Sequence, residues 1–374
     1  MKVKNNYNEC LTNLACSIRK YFGLEYNHKT LDYIDKLLEE KHPKNVVVIL
    51  YDGMGSRILD RHLTNDEFFI SNRLKEITTV FPATTTAATT SMRTGLNPKE
   101  HGYLGWNVYI KQIDETISLF LNTKKGTEEI SQKFLENKDK FFKAKSIVEE
   151  INKQTNNHAI ELFPFGDNPY NDLDDMLNKI KEETNKEGKR YIYAYDPEPD
   201  HTMHELGPDS KEVHKLIKER QEKTENLCNT LKDTLVIVVA DHGHIKVDNI
   251  FLKDYPKITN LLERTTSLEE RTMSFKVKEN LKEQFVSIFN ELFKDYYNLY
   301  SKEEVITSNL FGDGKENPIF KDAIGDYIAI AKTEKTLVNI DEDIMYSHHA
   351  GYTDDEIYVP LIIKYCGKEE HATL

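Results

Sequence analysis

Asn45-Val46-Val47-Val48-Ile49-Leu50, followed at once by Tyr51-Asp52-Gly53, is a continuous, largely β-branched run. Such a run reads as a strand buried on both faces, the habit of parallel strands covered by helices. Two further runs share its character: Arg190-Tyr191-Ile192-Tyr193-Ala194-Tyr195 and Leu235-Val236-Ile237-Val238-Val239-Ala240. Helical spacing fills about 141–156 and 209–232. It also precedes the first run, in Leu11, Leu14, Ala15, Ile18, Tyr21 and Phe22 and again in Leu31, Ile34, Leu37 and Leu38. Strands alternating with helices imply an α/β fold with a mostly parallel central sheet and helices on both faces.

The ends of those runs carry the chemistry. Asp52, Asp200 and Asp241 each follow one of them, at the strand edge where open α/β sheets place ligands. Asp200 and His204 are four residues apart, so one helical face presents both. Asp241-His242-Gly243 follows the third run directly. Mixed carboxylate and imidazole donors suit zinc and its neighbours, and two such clusters point to a two-metal hydrolytic site. Taken singly, each motif also reads as a turn, a cap or chance spacing. Asp52-Gly53-Met54-Gly55, for instance, would serve as a tight turn.

Phe81-Pro82-Ala83-Thr84-Thr85-Thr86-Ala87-Ala88-Thr89-Thr90-Ser91 is rich in hydroxyls, with Pro82 just upstream of an expected helix start. A threonine there would lie beside orphan backbone N–H groups and the positive end of the helix dipole, a setting that attracts a phosphoryl group. A coordinated metal could turn the hydroxyl into a nucleophile. The pattern alone leaves the choice among these hydroxyls open. His348-His349-Ala350-Gly351 offers a further imidazole. His62, His101, His158, His214 and His244 have no partner at ligand spacing and read as structural or surface residues.

The remaining features set bounds. A chain of 374 residues with 39% hydrophobic and 30% charged residues is an ordinary globular protein. Its net charge of −13 argues against binding a nucleic-acid backbone, while bound cations would still admit a small anionic substrate. Cys10, Cys16, Cys228 and Cys366 form no paired motif, and neither a signal core nor an apolar run of membrane-spanning length is present. The expectation is a cytoplasmic protein with reduced thiols and no membrane partner; a homodimer is allowed. Residues 107–111 and 116–121 alternate about Asp114-Glu115 as a hairpin near the site. The region 250–335, with strands near 273–277 and 327–332 and a helix near 279–297, reads as an inserted cap subdomain. The hydrolase core is then 1–249 together with 336–374.

The order of these motifs resembles the alkaline phosphatase superfamily, in particular its nucleotide pyrophosphatase/phosphodiesterase-like branch. The resemblance runs from about 45 to 363. It rests on Asp52-Gly53, Thr94-Gly95-Leu96-Asn97-Pro98-Lys99-Glu100-His101-Gly102, Asp200 with His204 and Gly207-Pro208, Asp241-His242-Gly243, and the tail from His349-Ala350-Gly351-Tyr352 to Val359-Pro360-Leu361. It implies one divalent ion held by Asp200, His204 and His349, and a second held by Asp52, Asp241 and His242, zinc first and manganese second. It places the nucleophile at Thr85, also a ligand, and implies a phosphothreonine intermediate. His348 replaces His349 if the tail shifts by one. Two departures stand out. Thr86-Ala87-Ala88-Thr89 occupies the place of the diesterase branch's aromatic-Pro-Asn-His run, and the phosphate-binding asparagine falls at Trp106, one short of Asn107. Asn107 is the substrate-binding candidate if the hairpin shifts by a residue. The sulfatase modification motif, with its cysteine, is missing. The implied activity is hydrolysis of a small phosphodiester or nucleotide. A phosphomonoesterase, phosphonate hydrolase or phosphomutase would use the same scaffold, and a metal-stabilised binding protein without catalysis would keep the ligands alone. Tyr103, Trp106 and Tyr109 would either stack a base or simply pack the hairpin.

Overall fold

The computed structural model describes residues 3–339 and 344–367. The ends of the expected core, 1–2 and 368–374, and residues 340–343 lie outside them. The central sheet has six strands: β1 (Asn45–Tyr51), β2 (Arg73–Thr78), β3 (His158–Leu162), β4 (Arg190–Asp196), β5 (Thr234–Val239) and β6 (Tyr358–Cys366), in spatial order β2-β6-β5-β1-β4-β3. β1 pairs in parallel with both β4 and β5, and β3 in parallel with β4. β6 is antiparallel to β5 and to β2, so it alone runs against the other five. Every residue of β1 and β5 is buried, which is why both read as uninterrupted apolar runs. Pro360 in β6 lies on the β2 side opposite Glu76, one residue before the ladder slips between Leu361 and Ile362, a place where a missing N–H costs little.

Four of the expected helices form, as Leu11–Tyr21, Asp32–Lys41, Lys211–Cys228 and a shorter Ile147–Gln154. The last starts later than its apolar spacing suggests because Ser146 caps it, its side chain accepting from the Glu149 N–H. β2, Arg73-Leu74-Lys75-Glu76-Ile77-Thr78, carries too much mixed polarity to stand out from its neighbours in the sequence.

A second sheet is antiparallel throughout. It draws Tyr297–Ser301, Tyr327–Ala331, Thr272–Phe275 and Ser267–Leu268 from the late segment and Asn107–Ile110, Glu115–Ser118 and Thr123–Lys124 from the early hairpin. The pairing Leu268↔Asn107 joins the two halves. The hairpin therefore belongs to the same layer as the 250–335 region. The limits drawn at 249/250 and 335/336 fall on a parallel pair, Asp248–Phe251 with Lys335–Val338. Within the second layer Arg271 is fully buried against Glu356, joined through Nε–Oε1 at 2.6 Å and Nη2–Oε2 at 3.0 Å. Glu356 also accepts from the Gly351 N–H at 2.7 Å. That ties the His348–Gly351 segment to both layers. Cys10, Cys16, Cys228 and Cys366 are free and buried, and among the described residues no helix is long and apolar enough to cross a membrane.

Candidate active site

β1, β4 and β5 all end at one edge of the central sheet, and their trailing residues supply three carboxylates. Asp52 follows β1, Asp241 comes two residues after β5, and Asp200 opens the helix Asp200–Leu206 beyond β4. The turns need glycine. Gly53 adopts φ +70, and a Cβ there would lie 2.8 Å from Met203 Cε and 3.0 Å from Asp200 Cβ. Gly55 and Gly243 touch: a Cβ on Gly55 would come 2.5 Å from Gly243 Cα, while one on Gly243 would run into the Asp355 carbonyl oxygen. Gly243→Ala is therefore expected to cost at least about 1–3 kcal/mol by overpacking and to loosen metal binding, read by thermal unfolding with and without added zinc.

Thr85 is the first residue of the helix Thr85–Thr94. Its Oγ1 stands 3.3 Å from Asp52 Oδ2, 3.4 Å from Asp52 Oδ1 and 3.3 Å from His242 Nε2. Asp52 Oδ2 also accepts from the Tyr195 hydroxyl at 2.5 Å. Asp241 Oδ1 accepts from the Gly53 and His242 N–H groups at 3.0 Å each, while its Oδ2 is buried without a hydrogen-bond partner, 3.5 Å from His242 Nε2. Three imidazoles are aimed by backbone carbonyls: Nδ1 of His204 lies 2.8 Å from Ser347 O, that of His242 3.1 Å from Gly243 O, and that of His349 3.1 Å from Ala83 O. Each Nδ1–H donates outward, so each Nε2 lone pair faces the carboxylates. Asp200 Oδ2 is 3.4 Å from His204 Nε2, and Asp200 Oδ1 is 3.9 Å from Nε2 of both His242 and His349.

The electrostatics ask for cations. Burial and then the neighbouring Asp200 charge push the Asp52 carboxyl well above the usual carboxylate range. Burial and then Asp52 do the same to Asp241. Burial would raise Asp200 as well, yet the His204 and His244 imidazoles outweigh it and hold that carboxyl well below. Donor atoms of Asp200, His204, His244 and His349 all lie within 4.8 Å of one another, as do those of Asp52, Asp200 and His242. The orphaned Asp241 oxygen and crowded carboxylates with outward-locked imidazoles fit divalent metal ions.

Two cavities open onto Thr85. One, of about 430 Å³, is lined by Trp106, Asn107, Lys125, Glu270 and Met345 among others; the second, of about 340 Å³, by Trp106, Phe120, Tyr195 and Glu198. Residues 46–351 match the family model described as type I phosphodiesterase / nucleotide pyrophosphatase. The chain belongs to that family. It is thereby an enzyme of the nucleotide pyrophosphatase/phosphodiesterase-like branch of the alkaline phosphatase superfamily, in a family that uses divalent metals. No curated protein sequence matches it. Among solved structures it is similar to murine ectonucleotide pyrophosphatase/phosphodiesterase 5, with TM-score 0.65, 19% identity, and coverage of 86% of this chain and 88% of that one. The human counterpart gives 0.66, 20%, 86% and 87%. An inactive variant of the murine protein in complex with AMP gives 0.65, 19%, 86% and 87%.

The family resemblance named Asp52, Thr85, Asp200, His204, Asp241, His242 and His349, and the fold brings all seven to this sheet edge. Asp200 lies between the two clusters rather than in one alone. His349, and not His348, has a donor atom among those of Asp200, His204 and His244; the His348 Nε2 lies 2.9 Å from Glu270 Oε2. Asn107 lines the larger cavity and accepts from the Ser118 hydroxyl at 2.7 Å. Trp106 lines both cavities, stacked on Phe120 at 5.6 Å. Tyr103 packs on Phe142 and Tyr109 against Arg264, so packing accounts for both. His244, read as structural or surface, is buried rather than on the surface: it lies within the cluster of candidate metal donors, its Nε2 2.5 Å from Asp200 Oδ1. The only signal was its place two residues after His242, on a turn already suspected of holding metal. His101 is buried against the Ser91 hydroxyl, and His62 contacts His214 away from the site.

Proposed function

We propose that the chain is a two-metal phosphodiesterase or nucleotide pyrophosphatase that attacks phosphorus with Thr85 and passes through a phosphothreonine intermediate. The observation that carries this reading is the Thr85 hydroxyl, at a helix start, within 3.3–3.4 Å of Asp52 and His242 and open to both cavities. Asp200, His204 and His349 would hold one divalent ion and Asp52, Asp241 and His242 the other; the imidazole-rich donor set favours zinc, with manganese next. Bound there, the ions would supply Lewis-acid charge that favours the alkoxide of Thr85 and the departing oxygen.

The chain's own groups do the rest. Thr85 Oγ1 directs its proton toward Asp52 Oδ2, and the Tyr195 hydroxyl holds that carboxylate in place. As Oγ1 bonds to phosphorus, the bond to the leaving oxygen breaks. N–H groups of the helix's first turn, which have no partner within the helix, would serve the remaining phosphoryl oxygens, and the Asn107 amide borders the same cavity. Water then cleaves the phosphothreonine and restores the hydroxyl.

Diester preference is favoured because no arginine lines either cavity among the described residues. Arg93, the nearest helix cation, forms a bidentate pair with Glu161 instead, and a monoester's second charge would lack that fork. The AMP held by a similar structure supports a nucleotidyl substrate, with Trp106 and Phe120 offering aromatic surface. Rates on bis-nitrophenyl phosphate and nitrophenyl phosphate, with zinc- and manganese-loaded protein, test this directly. The diester is expected to be cleaved faster, and chelation to stop turnover. Faster monoester cleavage would favour the phosphomonoesterase reading, and bound metal without any turnover the binding protein.

A further inference from the structure

Ser347 sits at the hub of a short relay. Its carbonyl receives His204 Nδ1–H at 2.8 Å, and its hydroxyl lies 2.6 Å from Met203 O and 3.0 Å from His244 Nδ1, its single proton serving these two acceptors. His244 Nε2 then donates to Asp200 Oδ1 at 2.5 Å. Antiparallel pairing of Ser347 with Lys246 and of His348 with Ile245 locks the two segments together. Gly53 leaves room for the ring: a Cβ there would lie 3.0 Å from His244 Cδ2.

The two oxygens of Asp200 are thus used differently. Two donors bound to one zinc ion at about 2.0–2.2 Å and near-tetrahedral angles stand about 3.3–3.6 Å apart. Asp200 Oδ2 and His204 Nε2, at 3.4 Å, match that spacing. Asp200 Oδ1 and His244 Nε2, at 2.5 Å, are too close to share an ion and stand at hydrogen-bond distance. Both ring nitrogens of His244 are therefore engaged by the protein.

We propose that His244 is a positioning residue: held by Ser347, it grips one oxygen of Asp200 so that the other is presented, together with His204 and His349, to a divalent ion. This rests on the two-metal reading above. It adds to that ligand set a residue whose role is to fix ligand orientation and charge. Outer partners of this kind typically change metal affinity roughly ten- to hundredfold.

The test is a competition titration of the full chain with zinc against a chromophoric chelator, paired with visible spectra of the cobalt-substituted protein. The parent is expected to take up two ions. His244→Phe is expected to weaken one of them roughly ten- to hundredfold and leave the other unchanged. His244→Gln, which keeps an N–H donor, should fall between. At saturation the cobalt spectrum should stay parent-like in position and intensity, because no ligand has been lost. Parent affinity at both sites in a folded His244→Phe would overturn the proposal, and so would a changed coordination spectrum at saturation, which would make His244 a ligand. If the phenylalanine variant does not fold, Ser347→Ala decides. A selective several-fold loss at one site is expected, and parent affinity overturns the relay. A parent that binds no metal would instead refute the two-metal reading itself.

Discussion

Thr85→Ala is expected to lower kcat on a phosphodiester by at least about 10⁴-fold, the scale seen when a covalent nucleophile is removed. The fold and the metal content should survive. Thr85 presents its hydroxyl only to Asp52 and His242, and its carbonyl, which accepts from the Thr89 hydroxyl at 2.6 Å, is untouched by the change. Alanine is also an excellent helix former at the first position. Rates measured beside circular dichroism and bound-metal analysis separate loss of chemistry from loss of structure. Full activity in a folded, metal-loaded variant would remove the covalent mechanism and leave direct attack by water.

Glu356→Gln should produce the largest stability loss. It removes the counter-charge of Arg271, whose guanidinium is fully buried and also donates to Thr336 Oγ1 and the Thr333 carbonyl. An uncompensated buried charge costs about 3–5 kcal/mol, measurable by equilibrium urea unfolding at constant zinc. The effect is pH-dependent. Burial alone would raise the Glu356 carboxyl, and the adjacent Arg271 guanidinium more than reverses that, so it is held below the usual glutamate range. Its contribution is present above the unfolded glutamate value, about 4.3, and is lost as pH falls through the lower folded value. The gap between parent and variant should therefore narrow in acid; a gap independent of pH would mean that Glu356 acts through shape rather than charge. Because Glu356 also receives the Gly351 N–H, the variant should loosen His349 and weaken metal uptake.

The parts of this enzyme that the sequence determined are those set locally. β1, β4 and β5 are buried on both faces, so their apolar runs are unbroken, and the acid after each run marks the sheet edge without knowledge of strand order. Asp200 and His204 share a helical face by spacing alone. The choice of Thr85 rests on family resemblance, because Thr84, Thr85, Thr86, Thr89, Thr90 and Ser91 offer the same hydroxyl within one segment, and it is the folded chain that brings Asp52 and His242 to Thr85.

What remained was decided by contacts between distant segments. β6 enters between β2 and β5 from the far end of the chain, and its antiparallel direction has no local signature. The Asn107–Ile110 strand meets Leu268 across 161 positions, which merges a hairpin and an apparent insertion into one layer. His244 is the sharpest case. Its place two residues after His242 does not by itself separate it from a surface histidine, since its partners Asp200 and Ser347 lie 44 and 103 residues away. Periodicity and strand-end chemistry are written residue by residue, whereas the orientation of a carboxylate depends on which remote side chain the folded chain brings to its second oxygen.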